Sequence, residues 1–340
     1  MLSRRSLLAT IGATPLVACA SNLTLDNGSD ASVVEIMAPG MSDVIDPNSR
    51  FDVLGTGYQW SEGPAWDRAR GILYFTDVPQ NKAYQWSEGQ GVQLFMDPSG
   101  ASRTEGFREP GANGLWYSSD GSLLICNHGH RAIECMNLDS REVSVLAQDF
   151  AGKRFNSPND IVQARDGTLF FTDPPYGLAG LDASPLKQQD ANGVYRLDPD
   201  GTVTRLISDM TFPNGIALSP DEQTLYVSQS DPDAPVVRAL GLDSSHGITS
   251  DRILFDAAPF MSDLMPGLPD GMAVSANGAL FVTGPGGVFV LASDGQPLGR
   301  ILTGRATANC TFGEAGRSLF ITAGDRLLRI RTKVQGVQWS

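Results

Sequence analysis

The sequence predicts an all-β fold, a six-bladed β-propeller of four-stranded blades around a central channel. Three observations carry the fold. A short pattern of a small or proline residue, then a carboxylate or amide, then usually glycine recurs six times along the 340 residues. Each recurrence is followed by a turn and a short apolar run. No amphipathic helical stretch competes with these signals.

The pattern stands as Ser61-Glu62-Gly63, Ala112-Asn113-Gly114, Pro158-Asn159-Asp160, Pro213-Asn214-Gly215, Pro269-Asp270-Gly271 and Ala308-Asn309-Cys310, at intervals of 51, 46, 55, 56 and 39 residues. The apolar runs are Ile72 to Asp77, Leu123 to Cys126, Leu169 to Asp173, Leu225 to Ser228, Leu280 to Thr283 and Leu319 to Thr322. Runs of about four apolar residues bounded by turns suit strands buried on both faces. Asp120-Gly121, Asp166-Gly167 and Asn277-Gly278 introduce three of them with a strong hairpin signal. A third strand such as Gly193 to Leu197 usually follows, then a turn and a fourth. Four strands repeated six times describe a propeller. Residues 51–55 precede the first unit, and the last unit stops early, so 51–55 are expected to supply the outer strand of the final blade. Residues 50–332 then form one domain, followed by a C-terminal tail over 333–340.

Hydrophobic residues make up 41% of the chain and charged residues 19%, enough apolar material for a large core and too little charge for disorder. The net charge of −13, without Lys/Arg blocks, argues against nucleic acid and against charge-driven membrane binding. Residues 1–20 read as an export signal: Arg4 and Arg5 precede an apolar stretch, Leu7 to Ala18, too short to span a bilayer. The paired arginines resemble a twin-arginine signal, and Leu16-Val17-Ala18-Cys19 resembles a bacterial lipobox that would lipidate Cys19. Cleavage after Ala20 is the competing reading. The expected address is the periplasm, or the outer membrane of a bacterium through a lipid anchor, with 21–49 as a tether. Cys126, Cys135 and Cys310 fit neither a disulfide framework nor metal-ligand spacing. A monomer is expected.

In a propeller the innermost strands line a central channel, so the six recurring polar residues point to one axis. Glu62, Asn113, Asn159, Asn214, Asp270 and Asn309 would then be gathered in a narrow, partly dry space. Buried charge of one sign is costly unless it is paired or binds metal. A single Asn or Asp before glycine is best explained as a turn cap. Six copies, with Glu62 where an amide would serve a turn, point instead to one hard divalent cation. An all-oxygen donor set suits Ca²⁺ first, with Mg²⁺, Mn²⁺ or Zn²⁺ as alternatives. His128, in the loop Cys126-Asn127-His128-Gly129-His130, is a candidate base at the same end of the channel. Tyr176 belongs to the equivalent loop of the next blade. The segments 97–112, 177–192 and 256–268 are expected to overhang that end.

Several strings are more specific: Glu62-Gly63-Pro64-Ala65-Trp66, Asn156-Ser157-Pro158-Asn159-Asp160, Thr172-Asp173-Pro174-Pro175-Tyr176-Gly177, Phe212-Pro213-Asn214-Gly215-Ile216-Ala217, Pro269-Asp270-Gly271-Met272 and Thr283-Gly284-Pro285-Gly286-Gly287-Val288. In this order they resemble the gluconolactonase and regucalcin-like (senescence-marker-protein) family of six-bladed propellers. The resemblance implies a divalent metal, commonly Ca²⁺, on Glu62, Asn159, Asn214 and Asp270. It implies hydrolysis of sugar-type lactones, with Asp270 as proton acceptor and donor. Asn156, Asn113, Tyr176 and Asn309 are the expected substrate contacts. Where the regucalcin branch has an arginine, two residues before Asn159, this chain has Ser157, with Arg154 nearby. An organophosphate or other esterase using the same site is a rival expectation. A non-catalytic propeller that binds a partner around structural Ca²⁺ is another.

Overall fold

The computed structural model describes residues 32–337. The six predicted units each fold into an antiparallel four-stranded sheet, because each alternates tight turns with short apolar runs. At two of these turns, Gly121 and Gly167 take φ of 87° and 93°, while Asp120 and Asp166 accept the N–H two residues on. Blade one comprises Ser61–Asp67, Ile72–Asp77, Lys82–Ser87 and Gly91–Met96. Blade two follows as Ala112–Tyr117, Leu123–Asn127, Ala132–Met136 and Val143–Ala147. Blade three is Ile161–Gln163, Leu169–Asp173, Gly193–Leu197 and Val203–Ile207. Blade four is Pro213–Leu218, Thr224–Gln229, Val236–Leu242 and Ile248–Asp256. Blade five is Met272–Val274, Leu280–Gly284, Gly287–Leu291 and Pro297–Leu302. Blade six is built from Asn309–Gly313, Ser318–Ala323 and Arg326–Arg331.

The fourth strand of blade six comes from the other end of the chain. Asp52–Thr56 pairs antiparallel with Arg326–Arg331, Asp52 opposite Arg329 and Thr56 opposite Arg326. The predicted ring closure is therefore present, one residue beyond its expected end. Arg329 adds ion pairs to Asp52, Glu88 and Glu314, linking the closing strand to blades one and six.

The apolar core is divided among the blade interfaces. Between blades three and four, Val162, Phe170 and Val194 pack against Ile216, Leu225, Val227 and Leu240. Between blades six and one, buried Phe320 stacks on Trp66 at 5.2 Å and meets Trp86 at 5.4 Å. Burying one such side chain is worth about 1.5–3 kcal/mol, so each interface supplies its own share of the stability.

The stretch expected as a tether over 21–49 is not free in its described part. Val34–Ile36 adds a fifth strand to blade five, and Met41, Val44 and Ile45 are buried in the cluster between blades five and six. Its apolar residues are few, yet they suffice once the outer strand of blade five offers an unpaired edge. The C-terminal stretch is likewise held: Val337 donates to the Val274 carbonyl, and Ala276 donates to that of Gln335. The export signal and Cys19 lie outside the described residues. No helix among the described residues is long and apolar enough to cross a membrane.

Candidate active site

Each inner strand begins at the recurring polar residue. Glu62, Asn113 and Asn214 stand second in their strands, Asn309 first, and Asn159 and Asp270 two residues ahead of theirs. The glycine that follows is dictated by crowding at the axis. A Cβ on Gly63, Gly114 or Gly215 would lie 2.0, 2.4 or 2.2 Å from the backbone oxygen of Asn113, Asn159 or Asp270 in the next blade. Hydroxyls at the ends of the second strands tie the ring together. Thr76 donates to the Asn113 carbonyl at 3.1 Å, Thr172 to that of Asn214 at 2.6 Å, and Ser228 to that of Asp270 at 2.8 Å. Sequence reasoning missed this support, although Thr or Ser is the last or next-to-last residue of five of the six apolar runs.

The ring side chains form a directed chain. Asn113 Nδ2 donates to Asn159 Oδ1 at 2.7 Å, Asn159 Nδ2 donates to Asn214 Oδ1, and Asn214 Nδ2 donates to Ser230 Oγ at 2.8 Å. The amide oxygens of Asn159 and Asn214 are thereby fixed in orientation. Above the ring opens a cavity of about 930 Å³. Glu62, Asn113, Asn159, Asn214, Asp270 and Tyr176 line it, with Trp60, Arg108, Glu109, Ser230 and most of segment 261–268. Two of the expected overhanging segments thus form its walls. The third, 177–192, packs against the first through the Phe107–Leu178 bridge.

The site is electrostatically unbalanced. Burial pushes the Glu62 carboxyl well above the usual carboxylate range, opposed by the Gly63 N–H and reinforced by Asp160. Burial, then the charges of Glu62 and Asp160, hold Asp270 well above the usual carboxylate range. Asp270 Oδ1 and the Tyr176 hydroxyl are buried without a protein partner. Among the described residues no three His, Cys, Asp or Glu side chains form a ligand group, so the oxygen donors here are two carboxylates plus amides. That set, with an unpartnered carboxylate oxygen aimed into it, fits a hard divalent cation.

Three expected site residues stand elsewhere. His128 is fully buried and does not line the cavity; burial lowers it to about 4, so it stays neutral, with Nε2 3.2 Å from Asn113 Nδ2. It is placed to orient Asn113 rather than to act as the base. Asn156 is also buried, its Nδ2 shared among Asp173 O, Ala191 O and Asn192 Oδ1, so it secures loops rather than substrate. Asn309 accepts from the Cys310 N–H and lines a smaller cavity of about 90 Å³ beside Asp160. Its amide opposes the upward shifts of both Glu62 and Asp160, placing it beneath the ring. Sequence reasoning also missed Trp60, Ser230, Arg108 and Glu109. Only Arg108 and Glu109 carried a signal, as a charged pair within a segment expected to overhang.

Comparison with known proteins agrees with this architecture. Residues 60–325 match the family described as the SMP-30/gluconolactonase/LRE-like region. A gluconolactonase of Zymomonas mobilis is 38% identical over 351 aligned positions, covering 98% of this chain and 99% of that protein. The solved structure of a gluconolactonase from Xanthomonas campestris superposes with a TM-score of 0.77 at 34% identity, over 89% of this chain and 96% of that one. A calcium-binding regucalcin from Agrobacterium tumefaciens shares the fold, with a TM-score of 0.68 at 19% identity, over 85% of this chain and 96% of that one.

Proposed function

Because this chain belongs to the SMP-30/gluconolactonase/LRE-like family and is by that membership a lactonase-type carboxylic ester hydrolase, we propose that it opens sugar-type lactones at the ring of Glu62, Asn159, Asn214 and Asp270, with a divalent cation as cofactor. The observation that carries this reading is the convergence of those four oxygen donors on one cavity, with Asp270 Oδ1 unpartnered. The names of the relatives, gluconolactonase among them, support the substrate class.

Glu62, Asn159, Asn214 and Asp270 would hold the cation, Ca²⁺ being the best match to an all-oxygen set. When bound it supplies a Lewis acid for the lactone carbonyl. The amide chain from Asn113 to Ser230 keeps the donor oxygens aimed inward without reorganisation. Tyr176, stacked on Phe212 at 5.7 Å, presents its hydroxyl from the wall as a substrate contact. Asp270 takes the proton of the attacking water as oxygen adds to the carbonyl carbon, and returns it to the ring oxygen as that C–O bond breaks. The product is a hydroxy acid, which releases a proton near neutral pH.

The test is pH-stat hydrolysis of D-glucono-δ-lactone and related lactones, before and after EDTA and with add-back of Ca²⁺, Mg²⁺, Mn²⁺ or Zn²⁺. Hydrolysis lost to EDTA and restored by a metal is expected, as is loss in Asp270→Asn. Full activity after complete metal removal would overturn the cofactor assignment. Near-normal kcat in metal-loaded Asp270→Asn would overturn the role of Asp270.

A further inference from the structure

Arg108, Glu109 and Asp263 are the charged groups of the cavity wall that neither the ring nor its hydrogen-bond chain employs, and the first two are adjacent and paired. Arg108 and Glu109 sit on the connection from blade one to blade two and face the same space as Asp270 and Tyr176. We propose that they form a polyol-recognition subsite: the Glu109 carboxylate accepts from substrate hydroxyls while the Arg108 guanidinium donates to a neighbouring oxygen. This inference rests on the lactonase reading and concerns which lactones the site selects.

The geometry of Glu109 leaves one oxygen for a ligand. Its Oε1 lies 3.1 Å from Arg108 Nη2, whereas Oε2 is 3.9 Å from His128 Nδ1, beyond hydrogen-bond range, and so keeps capacity for a ligand. Its side chain is only 15% exposed, and that exposure opens onto the cavity. Burial raises its pKa, against the pull of Arg108.

The backbone that carries the pair is also firmly placed. The backbone N–H groups of Arg108 and Glu109 both donate to the Gly177 carbonyl, at 2.9 and 3.3 Å. Gly177 is itself wedged, since a Cβ there would lie 2.8 Å from both His128 Cβ and Ser157 Cβ. A recognition group needs this kind of fixed support.

The remaining wall is mixed: Met261, Met265 and Leu268 give it apolar surface and Asp263 a further carboxylate, while Arg108 is the one cation among the described lining residues. An acceptor and a fork of donors side by side match vicinal hydroxyls, which present donor and acceptor together. A lactone without hydroxyls would leave Glu109 Oε2, on a mostly buried side chain, without a partner, which disfavours it.

The experiment compares D-glucono-δ-lactone with δ-valerolactone, the same six-membered ester ring without hydroxyls, on the full-length metal-loaded protein. Glu109→Ala is expected to lower kcat/KM for gluconolactone by about 10- to 100-fold, mostly through KM, and for δ-valerolactone by less than about threefold. Glu109→Gln, which keeps an acceptor oxygen and the side-chain shape, should recover part of the loss. Arg108→Gln should show the same selectivity. Equal losses on both lactones, or no loss on gluconolactone, would overturn the subsite while leaving the lactonase reading intact. A wild-type protein that hydrolyses neither lactone would overturn that reading and the subsite with it. Should Glu109→Ala fail to fold, Glu109→Gln and Arg108→Gln decide the matter by the same comparison.

Discussion

Gly215→Ala is the sharpest probe of how tightly the blades converge. Gly215 lies outside the left-handed region, so the added methyl tests space alone, without strain in φ. Its Cβ would lie 2.2 Å from the Asp270 carbonyl oxygen and 2.7 Å from Gly271 Cα. Real Cβ contacts stay beyond 3.0 Å, so the inner strands of blades four and five must part by close to an ångström. Both atoms are backbone, and neither can turn aside. Overpacking of this kind costs about 1–3 kcal/mol. For a chain of this size that corresponds to a fall in Tm of roughly 1–4 °C. The movement falls directly on Asp270, and misplacing a reacting group by ~1 Å costs about 100-fold in rate. Calorimetry and pH-stat kinetics on the same preparation read both quantities. Gly40→Ala is the control: its Cβ would meet only the Leu298 methyls, at 3.3 Å or more, and should change stability by less than about 0.5 kcal/mol. A Gly215→Ala protein with wild-type Tm and wild-type kcat/KM would refute the close approach and the positional argument built on it.

Three further outcomes are expected. Ca²⁺ at 100 times its Kd should stabilise the wild type by about 2.7 kcal/mol in thermal-shift titrations, and Glu62→Gln should lose most of that gain; an equal gain would remove Glu62 from the ligand set. Thr172→Val deletes the hydroxyl that donates to the Asn214 carbonyl and accepts the Asp160 N–H. Urea unfolding should show a loss of about 1–3 kcal/mol, with Thr172→Ser close to wild type. His128 titrates at about 4 in the fold against an ordinary value of 6.5, so the unfolded chain takes up its proton first as pH falls. The stability it contributes is complete above pH 6.5 and is lost toward pH 4, by roughly 3 kcal/mol. The difference in unfolding free energy between wild type and His128→Gln should shrink by that amount over the same window. A constant difference would show that His128 is not held neutral.

Much of this molecule is legible in its sequence because the repeat is physical. A residue placed at the axis, a glycine where the next strand crowds in, and an apolar run behind them must recur in every blade. The six polar residues at the axis follow from that logic, as does the closing strand near residue 52, while the choice of four of them as ligands comes from the family resemblance. What lies between repeats is less legible. His128 and Asn156 carry functional chemistry and sit beside the right elements, yet both turn into loop packing, where a buried polar group is held by whatever is nearest. Glu109 acts the other way. Little besides its charge marks it in the sequence, and its position depends on a carbonyl at Gly177, in another blade. The stretch over 32–49 reads as a tether because its few apolar side chains matter only beside an open sheet edge that local sequence does not reveal.

Pairing Asp52–Thr56 with Arg326–Arg331 has a consequence for the order of events during folding. The partners are separated by nearly the whole chain, so a ribosome-bound intermediate can assemble blades one to five while the closing segment waits unpaired. Until the last sheet arrives, the proposed metal ligands at 62 and 270 belong to an open arc rather than a ring. Catalytic competence should therefore emerge late and abruptly, once the last sheet has formed. Moving the chain break to an exposed turn between blades three and four, with the native ends joined through a linker, would shift that moment without touching the site.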